Sequence, residues 1–332
     1  MTATLPRVTS QDEPSVAPEF RPGLVMPGLR EIWQDVERYD LVRSVAELEA
    51  FGFTVISPEK AAPAGLTDRL LDAVLDRAED QWGVRLDPEG ELPHSAPADV
   101  PQPHDWSMAR TNRPILYTNF PDIPRVFEEA LLNPVLLALV SYLLGYQCLL
   151  SSGFGTFFKG IDTPDFPLHF DGSRMSPPSA LADCANALYL LTDHSVDDGA
   201  TCFVPGSHRL LREPAPGEGL DERVAAAGPK GSLVVWHGNT WHGAFAKTTP
   251  GLRISMPLFF CRPQLRTFFG LEHLVTDEML DRNPPRFATL MGQDLLWGSY
   301  QKTGGSYADV EDADSSRLGL VRMERSKSIY GA

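Results

Sequence analysis

Cysteine is scarce in this chain, and long apolar runs are missing. The four cysteines, Cys148, Cys184, Cys202 and Cys261, lie far apart and form no Cys-x-x-Cys pair, which argues against a disulfide scaffold or a cysteine zinc site. This usage is typical of buried thiols in a reducing compartment, and we expect a cytoplasmic protein. The longest apolar stretch, 131–144, is interrupted by an Asn-Pro pair and is too short to span a bilayer, so we expect no membrane partner.

Positive charge is also in deficit. Acidic residues outnumber basic ones by 44 to 29, and the formal net charge is -15. Proteins that bind nucleic acid need a basic surface to displace counterions, so we expect no nucleic-acid partner. The same acidity argues against a site for polyanions such as CoA thioesters. Residues 1–23 lack the apolar core of a signal peptide.

Proline and glycine, in contrast, are frequent, with 29 and 27 residues. This content indicates many turns and an all-β or mixed fold rather than a helix bundle. No internal repeat or linker divides the chain. We therefore predict a single domain over 26–302, preceded by a Pro-rich N-terminus (1–25) that is too polar to fold by itself, and followed by a polar tail (303–332).

Helical patterns lie in the N-terminal half. The apolar spacing over 66–82 predicts an amphipathic helix. A Ser-x-x-Glu capping box at Ser44 predicts the start of a shorter helix that ends near Gly52, and 53–56 then reads as a strand. Two further helices are expected to flank Pro134.

The C-terminal half is dominated by short β-prone runs separated by turn residues. Several short strands at such spacing predict a sandwich or small barrel on which the helices pack. The runs are 148–151, 156–158, 187–191, 202–204, 232–236 and 254–261.

Three residues form a candidate metal site. His169 and Asp171 are separated by one residue, and on a strand such residues point to the same side. His242 comes after a strongly apolar run. Two imidazoles and one carboxylate on one face of an octahedral ion are the ligand set of non-haem Fe(II) oxygenases. A His-x-Asp triplet is common by chance, so its weight depends on residues that come later in the chain.

One of these later residues is an arginine at the start of an apolar run. Arg253 is succeeded two residues later by Ser255. A guanidinium binds a carboxylate with two hydrogen bonds, and a hydroxyl on the same strand face adds another donor. The pair therefore suits the distal carboxylate of a dicarboxylic co-substrate whose other end chelates the metal.

In this ordered set the chain resembles the phytanoyl-CoA dioxygenase (PhyH-like) family of Fe(II)- and 2-oxoglutarate-dependent oxygenases. The resemblance runs from about Ser44 to about Pro263. Its strongest segments are Phe-Phe-Lys at 157–159, Pro-Leu-His-Phe-Asp at 167–171, Asp-Gly-Ala-Thr-Cys-Phe-Val-Pro-Gly-Ser-His at 198–208, and 230–253.

The resemblance implies a fold, cofactors and site residues. The fold is a mainly β double-stranded β-helix (jelly roll, cupin-like) with flanking helices. The resemblance makes His169, Asp171 and His242 the Fe(II) ligands, and O2 the oxidant. It assigns the 2-oxoglutarate carboxylate to Arg253 and Ser255, with Thr201 and Lys159 as further co-substrate contacts. Halogenating relatives replace the carboxylate ligand by a small residue, so Asp171 favours oxygenation.

The expected reaction is hydroxylation of a small-molecule metabolite or natural-product intermediate, with release of succinate and CO2. Desaturation, epimerisation and ring formation would use the same ligands. A cupin-type metal-dependent isomerase or lyase that does not use 2-oxoglutarate is the alternative enzyme class, and a catalytically silent ligand-binding relative is another.

Substrate contacts are predicted from position alone. The resemblance implies a pocket that is closed by the N-terminal helical region and its loops. The candidates for lining this pocket are Arg110, Asn112 and Tyr117, with Asp105 and Trp106 nearby. The sequence gives no indication of oligomeric state. We expect a structural role for His208, which closes a Pro-Gly-Ser-His turn. We expect the same for His237, because the His-Gly pair and the distance to Arg253 favour His242 as the ligand.

Overall fold

The computed structural model describes residues 28–83, 85–91, 115–116, 124–152, 155–172, 179–268, 270–271 and 274–293. The predicted N-terminal segment 1–25 and the tail 303–332 lie outside these residues, so the proposed domain division stays a prediction. The described helices are α1 (Leu29–Arg38), α2 (Val42–Phe51), α3 (Pro58–Ala61), α4 (Leu66–Trp82), α5 (Arg125–Leu131), α6 (Pro134–Leu144), α7 (Asp277–Arg282) and α8 (Pro285–Leu290). The described strands are β1 (Phe53–Ile56), β2 (Ile115–Leu116), β3 (Leu149–Ser152), β4 (Thr156–Lys159), β5 (Phe166–His169), β6 (Cys184–Leu190), β7 (Thr201–Phe203), β8 (Val224–Ala225), β9 (Leu233–His237), β10 (His242–Ala244) and β11 (Arg253–Cys261).

The described strands form two antiparallel sheets. The major sheet has the order β1-β9-β6-β11-β4-β2, and β3 pairs with the second half of β11. The minor sheet has the order β5-β10-β7-β8. The sheets face each other, since Phe203 of the minor sheet stacks on Phe53 at 4.4 Å and meets Trp236 edge-on at 5.3 Å. The predicted double-stranded β-helix is confirmed.

The major sheet is covered on both faces. All seven residues of β6 are buried. Leu188 and Leu190 face the interior of the barrel beside Phe203, whereas Ala187 and Tyr189 join the larger core that includes the helices. A strand that is buried on both faces has a continuous apolar sequence instead of an alternating one. This explains why the run around 187–191 was recognisable in the sequence.

The helices agree with the sequence predictions except at one start. Helix α4 and strand β1 have the predicted bounds, and Pro134 is the first residue of α6. The predicted capping box is wrong, because α2 begins at Val42. The carboxylate of Glu47, which the box needed, instead accepts hydrogen bonds from Arg43 at 2.9 Å and Thr54 at 2.7 Å. Helices α1, α3, α7 and α8 were not predicted.

Within the described residues, no single helix is long and apolar enough to cross a membrane. The consecutive helices α5 and α6 meet that criterion only when taken together, and they are bent by 48° relative to each other.

Candidate functional site

The three predicted metal ligands converge on the minor sheet. Strands β5 and β10 pair so that His169 lies directly opposite His242. Asp171 lies just beyond the end of β5, and its backbone N–H donates to the carbonyl of Gly238 at 2.9 Å. The carboxylate is thus positioned by a loop contact as well as by the spacing along the strand.

The ligand atoms are close enough to share one ion. Oδ1 of Asp171 lies 3.8 Å from Nε2 of His169, and Oδ2 lies 3.2 Å from Nε2 of His242. Adjacent ligands of an octahedral ion with bonds of about 2.1 Å lie about 3 Å apart. Among the described residues these three form the group of side chains that could hold a metal ion.

Hydrogen bonds set the orientation of both imidazoles. Nδ1 of His169 lies 3.1 Å from the carbonyl of Pro167, and Nδ1 of His242 lies 2.9 Å from the carbonyl of Thr240. A carbonyl can only accept, so both rings carry their proton on Nδ1 when they are neutral. Each Nε2 therefore keeps a lone pair that is directed at the shared position, as metal-binding histidines require.

The carboxylate is held in its ionised form. Burial alone would raise the pKa of Asp171, but His242, then His169 and Asn186, outweigh burial and keep this pKa below its usual range. Burial would likewise lower the pKa of His242, yet Asp171 raises it overall. A carboxylate beside two imidazoles with free lone pairs fits a divalent cation.

Sequence reasoning missed Asn186 and Cys184, which hold the carboxylate residue in place. Asn186 donates from Nδ2 to Oδ2 of Asp171 at 2.9 Å, and the thiol of Cys184 donates to the backbone carbonyl of Asp171 at 3.0 Å. The available signal was a single amide in the otherwise apolar strand β6. A buried polar residue in such a run needs a partner.

Three of the predicted co-substrate residues, Arg253, Ser255 and Thr201, contact one another. Arg253 begins β11 and is only 4% exposed. Its Nη1 donates to Oγ of Ser255 at 3.0 Å, and its Nη2 donates to Oγ1 of Thr201 at 3.0 Å. Thr201 begins β7 in the opposite sheet. A buried guanidinium between two hydroxyls is a ready-made carboxylate site, because all three groups can donate to it.

Lys159 is placed next to this group but is used differently. It pairs with Arg253 in the β4–β11 register and is fully buried. Its ammonium donates to the backbone carbonyls of Phe245 and Gly199, the latter at 3.5 Å. It therefore adds positive charge near the pocket while it ties β4 to the turns beside the minor sheet.

The other described histidines, His194, His208 and His237, are not part of the group that could bind a metal. Nδ1 of His237 accepts the backbone N–H of Asn239 at 3.0 Å, and its ring lies 5.4 Å from that of His208. Burial, and then the neighbouring His208, lowers the pKa of His237 to about 4. Both geometries agree with the structural roles that the sequence indicated.

A cavity of about 750 Å³ opens beside Asp171. Its described lining includes Phe170, Phe259 and Phe268. The residues predicted to contact substrate, Arg110, Asn112 and Tyr117, lie outside the described residues together with Asp105 and Trp106. Their role stays a prediction.

The fold and the site together define a class of protein. A double-stranded β-helix that presents two imidazoles and one carboxylate on one face, with open space beside them, is the arrangement of mononuclear non-haem iron oxygenases. Comparison with known families then gives the particular assignment. The chain belongs to the phytanoyl-CoA dioxygenase family (PhyH), whose model matches residues 52–255, more than half of the chain. The predicted membership of this family of Fe(II)- and 2-oxoglutarate-dependent oxygenases is confirmed.

Curated relatives are distant. Dioxygenase af480 from Aspergillus fumigatus is 27% identical over 174 residues, which are 52% of this chain and 56% of that protein. The protein Rv1501 from Mycobacterium tuberculosis is 26% identical over 138 residues, 41% of this chain and 50% of that protein. The chain thus spans about half the length of the curated relatives it matches.

Solved structures share the fold. HygX from Streptomyces hygroscopicus, crystallised with nickel and 2-oxoglutarate, has a TM-score of 0.50 at 17% identity and covers 68% of this chain and 88% of its own. EvdMO1 has a TM-score of 0.50 at 19% identity and covers 67% of this chain and 49% of its own. At these identities the likeness concerns the fold alone.

Proposed function

We propose that this protein is an Fe(II)- and 2-oxoglutarate-dependent dioxygenase that hydroxylates a small-molecule metabolite or natural-product intermediate and releases succinate and CO2. Family membership supports the dioxygenase class. One observation carries the co-substrate: a buried guanidinium, hydrogen-bonded to two hydroxyls, lies in the same barrel as a two-histidine, one-carboxylate group. HygX, which shares the fold, was crystallised with 2-oxoglutarate.

The proposal gives each residue a role. His169, Asp171 and His242 hold Fe(II), and Arg253 pairs with the distal carboxylate of 2-oxoglutarate. Ser255 and Thr201 orient the guanidinium and donate to the same carboxylate, and Lys159 adds positive charge beside them. Bound iron with 2-oxoglutarate as co-reductant would supply O2 activation and oxidation of a substrate C–H bond.

The protein's own contribution is orientation and exclusion of water. Trp236 and Phe203 pack around the imidazole of His242, with ring centroids 5.3 and 6.0 Å from it. These apolar neighbours keep water from the buried side of the group and strengthen its electrostatic interactions. No side chain has to act as a general base, because the bound cofactor would supply the oxidising chemistry. The proton on each imidazole stays on Nδ1 and faces a carbonyl.

We further propose that the protein is cytoplasmic. The four cysteines are free, buried thiols, as expected of a protein in a reducing compartment.

The test is anaerobic addition of Fe(II) and 2-oxoglutarate to the purified apoprotein. We expect the weak visible charge-transfer band of the chelate. Arg253→Ala should require at least tenfold more 2-oxoglutarate for the same band, because a charge-assisted, two-bond contact is lost. Arg30→Ala, an exposed arginine on α1, is the matched control and should behave as wild type. Iron binding without a band would contradict the proposal and favour the cupin-type isomerase or lyase, which needs no 2-oxoglutarate.

A further inference from the structure

A cavity opens beside the metal-binding group at Asp171. Arg253, Ser255 and Thr201 are not among its described lining residues. The cavity is therefore lined by residues other than those assigned to the co-substrate. Under the proposed function, we assign the substrate to this cavity.

One wall of the cavity is the segment that comes directly after β11, here called the wall segment (262–268). Its first residue, Arg262, anchors the segment to the fold. The guanidinium donates to the carbonyls of Ala182 at 2.6 Å, Leu144 at 3.2 Å and Leu143 at 3.1 Å. At the other end, the backbone N–H of Phe268 donates to the carbonyl of Ser151 at 3.0 Å. Both ends of the wall segment are thus anchored to the fold.

The second arginine of the wall segment, Arg266, does not anchor the segment. Arg266 lines the cavity and is exposed. Among the described residues its guanidinium has no hydrogen-bond or ion-pair partner, in contrast to Arg262. Five N–H donors are therefore available to a bound molecule.

The rest of the described lining adds little charge. Besides Asp171, the ionisable groups are the thiols of Cys184 and Cys261. Burial raises the pKa of Cys184, and it raises the pKa of Cys261 to about 11. Both thiols are therefore neutral near pH 7. Arg266 is the one cation in the described lining that could balance an anionic group of a substrate.

The apolar part of the lining consists of aromatic rings. Phe259 and Phe268 meet edge to face with centroids 5.4 Å apart, and Phe170 also lines the cavity. Phe268 is 75% exposed, which is unusual for a large apolar side chain outside a binding surface. Rings at such positions favour a flat apolar ligand. A cavity of about 750 Å³ suits a drug-sized molecule.

We propose that the cavity binds a small organic acid with a flat, apolar body, and that Arg266 holds its carboxylate while Phe259 and Phe268 contact the body. This inference rests on the proposed function, because it places the acid as the substrate of the same metal-binding group. Arg266 then determines specificity by fixing one end of the molecule.

The charge of the whole protein is compatible with this assignment. The net charge of -15 opposes anions over the surface as a whole, but beyond about 8–10 Å such interactions are screened at physiological salt. A single guanidinium at contact distance suits a single carboxylate. A CoA thioester carries several phosphate charges and would need several cations, so this class is disfavoured.

The test compares 2-naphthoate with 2-naphthamide, which have the same ring and differ in charge. Binding is measured by calorimetry on the enzyme loaded anaerobically with Fe(II) and saturating 2-oxoglutarate, so that Arg253 is already occupied. We expect the acid to bind wild type about tenfold more tightly than the amide. Arg266→Gln should abolish this preference, Arg266→Lys should keep part of it, and Arg30→Gln, an exposed control, should leave it unchanged. Phe268→Ala should weaken both probes alike.

Two outcomes would overturn the inference: equal affinity of wild type for acid and amide, or a preference that survives in Arg266→Gln. The proposed function has a separate readout, since the charge-transfer band depends on Arg253 and should be identical in wild type and Arg266→Gln. If the band is absent, the proposed function fails, and the acid–amide comparison is made on the apoprotein.

Discussion

Arg253 donates a hydrogen bond of 3.0 Å from its Nη2 to Oγ1 of Thr201, and this bond joins the major sheet to the minor sheet. Residue 201 begins the strand that pairs with β10, which starts at His242. The co-substrate pocket and the metal-binding group are therefore parts of one hydrogen-bonded frame.

Thr201→Val should weaken 2-oxoglutarate binding while it leaves metal affinity intact. The substitution keeps the shape but removes a hydroxyl next to a charged group, and such a bond is worth about 1.5–3 kcal/mol. We expect at least a tenfold higher 2-oxoglutarate concentration for half of the charge-transfer band. Thr163→Val is a matched control, because that buried hydroxyl donates to the carbonyl of Gly160 at 2.7 Å and not to a group assigned to the co-substrate. An equal effect of both variants would show a general loss of stability instead.

Asn186→Ala should lower Fe(II) affinity by about tenfold to a hundredfold, the usual cost of removing a group that orients a metal ligand. The side chain fixes Oδ2 of Asp171 at 2.9 Å. Competition with a fluorescent chelator measures the affinity. Asn133→Ala is the control: Asn133 is also buried but bonds the carbonyl of Ala61 and the hydroxyl of Tyr189. It should lower the melting temperature without a change in metal affinity.

Gly243→Ala should disrupt the pairing that places the two histidines opposite each other. A Cβ at this position would overlap the carbonyl of Phe166 and lie 3.1 Å from that of Pro167, both on β5. Backbone cannot yield as a flexible side chain can, so β10 must move away from β5. We expect a lower melting temperature together with loss of tight Fe(II) binding. Wild-type metal affinity in a folded variant would contradict the importance of this close approach.

The free energy of unfolding should decrease at acidic pH, because His237 has to be protonated. Its pKa is lowered to about 4 by burial and by His208, whereas an unfolded histidine titrates near 6.5. Between these values the unfolded chain binds more protons, so stability is fully present above pH 6.5 and is lost as the pH falls toward 4. The loss can reach about 3 kcal/mol.

Urea unfolding at several pH values between 7.5 and 4 measures this loss, and His237→Gln should show a flatter pH dependence. Other groups titrate in both proteins, including His194, whose pKa burial also lowers. The difference between the two curves therefore isolates His237. Parallel curves would rule out its contribution.

Much of the site could be predicted because its signals are local. The one-residue spacing of His169 and Asp171 and that of Arg253 and Ser255 reflect the period of a strand, which operates over a few residues. The apolar run of β6 is equally local, because both its faces are buried. Helix α4 was predictable for the same reason, since its buried face repeats along one segment.

The errors and omissions concern interactions between distant segments. Ser44 begins a valid capping pattern, yet the carboxylate of Glu47 accepts from Thr54 on β1, seven residues later, and α2 starts earlier. Asn186 gave a visible polar signal, but its partner, Asp171, lies beyond the end of β5, far away in the chain, and could not be identified from spacing. The partner of Arg253 on the opposite sheet was available only through the family resemblance.

The sequence by itself determined the ligand types, their order and the strand that begins at Arg253, because side-chain chemistry and the two-residue period are properties of short segments. Only the tertiary structure decided that His169 lies opposite His242 and that Arg253 donates to Thr201. It also decided that Arg262 is hydrogen-bonded to backbone carbonyls while Arg266 lines the cavity. These facts depend on strand register and on which sheet faces which. Such pairings join residues far apart in the chain, and they are fixed by the packing of the whole barrel rather than by any local pattern.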